Sequence, residues 1–151
     1  MMRDDRLIIA LDTASRREAL EYVKKLSRYT RTFKVGLQML MCEGPSVVRE
    51  IMGLGCRVFL DGKFHDIPNT VAKAVKAAAE SGAFMVNVHC LGGIEMMKAA
   101  AHAAGIAGER GRPFVLGVTV LTSMDKAALK EVGVPLSPER EVVRLARLAK
   151  K

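Results

Sequence analysis

Short apolar runs alternate with amphipathic stretches along the whole chain. Leu7-Ile8-Ile9-Ala10-Leu11 is continuous in its apolarity, the pattern of a strand covered on both faces, and predicts a first strand from Arg6 to Asp12 that ends on a carboxylate. Ser15-Arg16-Arg17-Glu18 fits a capping box, and Leu20, Val23 and Leu26 continue it as a helical stripe ending near Tyr29. The unit then repeats. A second strand is expected from Phe33 to Leu37, with Lys34, Gly36 and Gln38 on one face, followed by a helix opened by Pro45 and closed near Gly53 and Gly55. A third strand, Arg57 to Asp61, precedes a helix from Pro68 to Gly82, and a fourth, Phe84 to His89, precedes one from Ile94 to Ala104. Gly105 to Pro113 reads as a loop and Phe114 to Leu121 as a fifth strand. Asp125 caps a short helix to about Val132, and Ser137-Pro138-Glu139 opens a last one with Val142, Val143, Leu145 and Leu148 as its apolar stripe.

Strand onsets near 6, 33, 57, 84 and 114 recur every 24 to 30 residues, the period of a βα repeat, and predict an α/β fold with a parallel sheet. A full (β/α)8 barrel takes about 250 residues. The 151 residues therefore predict a partial TIM barrel of five βα units, forming one domain over 1–151.

Polar residues interrupt these apolar strands in register. Asp12, Lys34, Asp61 with Lys63, His89, and Thr122 with Ser123 fall at or just past successive strand ends, where barrel enzymes build their sites. The densest stretch is Asp61-Gly62-Lys63-Phe64-His65-Asp66-Ile67-Pro68-Asn69-Thr70. Alternate residues of a strand share a face, so Asp61 and Lys63 are expected to project into one site with Asp66 beside them, and such crowded charges shift one another's pKa values. The plainer reading of Asp61, Lys63 and Asp66 is a surface ion pair at a strand end.

That ten-residue run resembles the active-site signature of the orotidine 5'-monophosphate decarboxylases. The likeness extends to Leu11-Asp12, Phe33-Lys34-Val35-Gly36, Val86-Asn87-Val88-His89 and Gly117-Val118-Thr119-Val120-Leu121-Thr122-Ser123. The resemblance implies that Lys63 protonates the carbanion left when carbon dioxide departs, that Asp61 lies beside the substrate carboxylate, and that Lys34 pairs with Asp61 and the ribose. Asp12 would bind ribose hydroxyls, Thr122 and Ser123 would face the pyrimidine, and Asp66 and Thr70 would reach into a partner's site in a homodimer. It implies a lyase of pyrimidine biosynthesis that needs no cofactor. In that family the phosphate is held by loops after the seventh and eighth strands, so a chain of five units is expected to turn over little substrate alone. It would also expose sheet face and edges, and self-association into a dimer or higher homo-oligomer is expected.

Two other readings stay open. Magnesium-dependent sugar-phosphate decarboxylases or aldolases share the D-x-K-x-x-D spacing, although Ile67-Pro68-Asn69-Thr70 and Lys34 favour the pyrimidine enzyme. A non-catalytic, self-assembling half-barrel is the reading from outside enzymology.

Composition narrows the remainder. The formal charge is +8, but the basic residues are spread over predicted helices, aromatic residues make up 5% and tryptophan is absent, which favours solvated helix faces over a nucleic-acid surface. A positive field still suits a phosphorylated substrate. Apolar runs are too short for a membrane span and no signal-like stretch precedes the first strand, so a cytoplasmic location is expected. Cys42, Cys56 and Cys90 lack metal or disulfide spacing. His65 and His89 have no clustered ligands around them and read as structural; Gly92-Gly93 reads as a turn, and Met39, Met41, Met96 and Met97 as packing residues.

Overall fold

The computed structural model describes residues 6–106 and 112–151. Five parallel strands lie in the order β1-β2-β3-β4-β5, the order in which the chain makes them. They are β1 (Ile8–Ala10), β2 (Thr32–Gly36), β3 (Arg57–Phe64), β4 (Met85–His89) and β5 (Phe114–Val118). Helices α1 (Arg16–Leu26), α2 (Leu37–Glu43), α3 (Ser46–Gly53), α4 (Pro68–Glu80), α5 (Gly93–Ile106), α6 (Lys126–Glu131) and α7 (Pro138–Ala149) fill the intervals, so the α/β repeat is as expected.

Strand alternation divides the sheet into two faces. Phe33, Val35, Val58, Leu60, Val86 and Val88 are buried and meet the helical layer through Val23, Val47, Ile51, Val75 and Met96. On the opposite parity, Ala10, Lys34, Phe59, Met85 and Phe114 stand in one row across all five strands. This second face is unsealed at its margins: Ile8 is 39% exposed, Phe114 59% and Leu116 39%. The expectation that β1 is covered on both faces is therefore corrected. Only three residues pair, and Leu7 and Ile8 lie open because β1 is a sheet edge with β2 as its one neighbour among the described residues.

Local signals set the helix starts. Ser15 accepts from the Glu18 amide as a cap, and Asp125 accepts from Ala128 at 2.9 Å. The Glu18 carboxylate, however, takes the hydroxyls of Thr13 and Tyr22 instead of closing the capping box on Ser15, and α1 stops at Leu26, short of Tyr29. Pro68 and Pro138 occupy first turns, where a missing N–H costs nothing. Gly82, at φ +93, ends α4, and a Cβ there would strike the Met52 side chain at 2.5 Å.

Several boundaries differ from expectation for tertiary reasons. β2 ends at Gly36 and α2 begins at once, so Gln38 is helical and does not share a strand face with Lys34. Gly105 belongs to α5, and residues 107–111 of the expected loop lie outside the described residues. β5 ends at Val118 rather than Leu121. Met39 and Met96 are core residues, but Met41 is 84% exposed. On α7, Val142 and Val143 face outward, while Leu145 and the unforeseen Glu141 are buried, the latter held by Arg144. Gly117 lets this layer close: a Cβ there would lie 2.7 Å from Cys90 Sγ and 3.3 Å from Ala149 Cβ. Gly117→Val is accordingly expected to destabilise the chain by about 1–3 kcal/mol through overpacking, read as a lower urea midpoint; an unchanged midpoint would show that α7 is not seated there.

Candidate active site

The carboxyl-terminal halves of β1, β2, β3 and β4 bring five polar side chains together: Asp12, Lys34, Asp61, Lys63 and Asn87. Asp61 is at the centre and is 8% exposed. Its Oδ1 accepts from Lys63 Nζ at 2.7 Å and from Asn87 Nδ2 at 2.6 Å, and its Oδ2 lies 3.2 Å from Lys34 Nζ. Lys34 also reaches the exposed Asp12, at 3.3 Å. The order Asp12–Lys34–Asp61–Lys63 alternates in sign, so each buried charge has an opposite neighbour, as desolvated ions require.

Asp61 and Lys63 meet by a different route from the simple alternation expected. β3 runs on to Phe64, and its register with β4 jumps from Leu60↔Val86 to Phe64↔Val88. Asp61, Gly62 and Lys63 thus stand opposite Asn87 alone. Lys63 takes φ +46, the left-handed region that L-residues avoid, and its amide is held by Asn87 Oδ1 at 2.7 Å. The bulge turns the Lys63 ammonium back onto Asp61.

Burial opposes the charge of Asp61, yet hydrogen bonds from Lys63, Asn87 and Lys34 outweigh it and hold its carboxyl below the ordinary value. A lowered folded-state pKa stabilises the fold above the ordinary carboxylate range, and that contribution is lost as pH falls through the folded value. For Lys34, burial works against the ammonium, and Asp61 and Asp12 more than offset it, raising its pKa. Both groups stay ionised near neutrality. His89 is pushed down by burial and then by the charges of His65 and Lys63; its ring centroid is 5.3 Å from that of His65.

Other expected residues stand apart. Asp66, expected to join the Asp61 group from the loop after the strand, is exposed and accepts from the Ile67 amide at 2.6 Å, where the chain has turned toward α4. Thr70 is exposed in the first turn of α4. Thr122 and Ser123 lie exposed in a turn four and five residues beyond β5. Asn87 was not singled out for a role, although a lone polar residue inside Val86-Asn87-Val88 is the signal that marked Lys34.

A cavity of about 180 Å3 opens over the group, lined by Leu11, Asp12, Lys34, Met39, Asp61 and Lys63. Small-molecule sites usually enclose about 300–1,000 Å3, so further walls are needed to surround a nucleotide. A hollow of about 700 Å3 runs along α7 beside Arg140, Arg144 and Arg147 but is far wider and holds no comparable acid–amine array. Among the described residues, no cluster of three or more His, Cys, Asp or Glu could hold a metal ion, and no helix is long and apolar enough to cross a membrane.

A parallel βα sheet with paired acids and amines at its strand carboxyl ends defines a barrel-type α/β protein with a polar rim site. Sequence comparison narrows the class: the chain belongs to the orotidine 5'-phosphate decarboxylase / HUMPS family, whose model matches residues 5–151. It is 50% identical over 148 residues to the orotidine 5'-phosphate decarboxylase of Pseudoalteromonas translucida, covering 98% of this chain and 63% of the relative. A Vibrio cholerae protein of the same name is 50% identical over 149 residues, with 99% and 64% covered. The crystal structure of orotidine 5'-phosphate decarboxylase from Lactobacillus acidophilus superposes with a TM-score of 0.88 at 33% identity, over 97% of this chain and 67% of that one. An uncharacterized conserved protein from Geobacillus kaustophilus gives 0.89 at 39%, over 95% and 68%. The chain thus spans less than two thirds of the length of the curated relatives it matches.

Proposed function

We propose that this chain, as one partial-barrel domain, carries the catalytic array of an orotidine 5'-monophosphate decarboxylase, the enzyme that yields uridine 5'-monophosphate and carbon dioxide in pyrimidine biosynthesis. The observation that carries the reading is the Lys34–Asp61–Lys63 arrangement at the sheet rim. In this reading the bond between the pyrimidine ring and its carboxylate breaks, the electron pair stays on the ring carbon, and Lys63 delivers a proton to it. A fixed ammonium stabilises the developing carbanion better than water, because it is oriented before reaction. Asp61 keeps that ammonium aimed through their 2.7 Å contact, and Lys34 links Asp61 to Asp12, which suits ribose hydroxyls. Thr122 and Ser123 would face the base once the fifth unit's loop is held against substrate. No cofactor enters the scheme.

The exposure of Asp66 and Thr70 is in keeping with a role across a homodimer interface, in which each reaches into the partner's site. No membrane or nucleic-acid partner is required, and a cytoplasmic location fits the chemistry. Phosphate contacts supply binding energy that acts at a remote reacting centre, so a chain without them should lose kcat as well as affinity. UMP formation should therefore be slight for the 151-residue chain and rise when it is mixed with a separately produced segment covering the remaining third of the Vibrio cholerae relative. EDTA should change neither rate; inhibition would favour the magnesium-dependent enzymes. Absence of turnover in a mixture shown by light scattering to have assembled would overturn the proposal.

A further inference from the structure

We infer that Asn87 is the positioning residue of the charged array: it holds the bulge that carries Lys63 and at the same time fixes the Asp61 carboxylate. The inference rests on the reading of Lys63 and Asp61 as the reacting pair, but its geometric half stands without it.

Asn87 occupies the middle of β4, 4% exposed, between Val86 and Val88, which are almost wholly buried in the helical core. Its side chain lies on the other face of the sheet, where it stands alone against three residues of β3. A bulge leaves backbone groups without their ladder partners. Here the Asn87 carbonyl oxygen replaces that partner for the Lys63 amide, at 2.7 Å. The orientation of the amide follows from chemistry: a backbone N–H only donates, so oxygen must face Lys63, and the NH2 must face Asp61, where it donates at 2.6 Å.

Both bonds are needed together. A left-handed Lys63 costs about 1–2 kcal/mol, and such strain persists only where the surroundings enforce it. A carboxylate at the sheet rim can rotate between its two lysines unless a third donor locks it. Asn87 supplies the enforcement and the lock with a single planar amide, tying the backbone direction of Lys63 to the oxygen its ammonium contacts.

The test uses two substitutions. Asn87→Asp keeps an acceptor for the Lys63 amide but cannot donate to Asp61, whereas Asn87→Leu removes both bonds while keeping the same branched heavy-atom skeleton. Asp61 is faced by Lys34 from β2, Lys63 from its own strand and Asn87 from β4, with Asp12 behind Lys34 and His89 beside Lys63; of these, only Asn87 changes. The carboxyl carbon of Asp61, followed by NMR, should titrate below the ordinary carboxylate range in the parent. It should move up by about one pH unit or more in Asn87→Asp, where a like charge replaces a donor. In Asn87→Leu, the Lys63 amide resonance should shift and its hydrogen-exchange protection should fall at least about tenfold as the enforced conformation is released. In the assembly with the complementing segment, kcat should drop about 10- to 100-fold in either variant with KM changed less, as misplacement of a reacting group predicts.

Parent-like Asp61 titration in Asn87→Asp together with parent-like Lys63 exchange in Asn87→Leu would overturn the inference and leave Asn87 a packing residue. Should Asn87→Leu fail to fold, the isosteric Asn87→Asp still decides through Asp61. If the NMR changes occur but the parent assembly makes no UMP, the functional reading fails while the positioning role stands.

Discussion

Replacing Lys63 by methionine is expected to lower UMP formation by the complemented chain at least about 10^3-fold, since both proton delivery and carbanion stabilisation depend on one ammonium. The fold should survive, because Asp61 keeps Lys34 and Asn87 as partners at 3.2 and 2.6 Å. A companion substitution, Lys63→Gly, separates chemistry from backbone. Both variants lose the ion pair, but glycine adopts φ +46 freely whereas methionine pays for it. Glycine's usual entropic penalty is about 0.5–1 kcal/mol, less than the left-handed cost to an L-residue. Lys63→Gly should therefore be at least as stable as Lys63→Met in urea while equally inactive. Substantial turnover by either variant would remove Lys63 from the mechanism. A clear stability deficit for the glycine variant would instead remove the strain from this account of the bulge.

That strain explains which parts of the site could be read in advance. The βα repeat was legible because its signals are local: apolar runs for strands, Ser15 and Asp125 as caps, and Pro68 and Pro138 at helix starts. The convergence of Asp12, Lys34, Asp61 and Lys63 on one rim was legible too, as charges at the ends of apolar runs. Their exact meeting was not, because it depends on a register jump between β3 and β4 that neither strand encodes alone. Asp66 was expected in the loop beside Asp61 and Lys63, but β3 runs on to Phe64 before that loop begins, and the Asp66 carboxylate turns instead to the Ile67 amide. α2 escaped notice because it follows β2 directly and has no side-chain cap, and Leu37 to Glu43 reads equally well as strand continuation. On α7, the expected stripe of Val142, Val143, Leu145 and Leu148 is displaced: Val142 and Val143 lie open, while Glu141, paired with Arg144 three residues on, is buried beside Leu145 in the same helix.

The exposed apolar positions raise the second large effect, a change of assembly state. β1 and β5 each pair with one neighbour among the described residues, and Phe114, Leu116 and Ile8 lie open on the face away from the helices. Unpaired parallel edges beside apolar surface recruit other chains. Light scattering after size exclusion should show a dimer or larger species at micromolar concentration; a clean monomer would refute self-association. Two surfaces could hold such an assembly, and they predict different responses. Association through the sheet face should be abolished by lysine at both 114 and 116, and suppressed by the complementing segment, which competes for the same surface. Association through the rim, where Leu37, Met41 and Ile67 are 56%, 84% and 65% exposed, should resist both and yield instead to Met41→Lys with Ile67→Lys. If Asp66 and Thr70 serve a partner's site, only the rim mode coexists with activity. The complemented, active form should then remain a dimer of assembled units after the sheet face is filled, and that dimer should lose UMP formation together with its association when Met41 and Ile67 are charged.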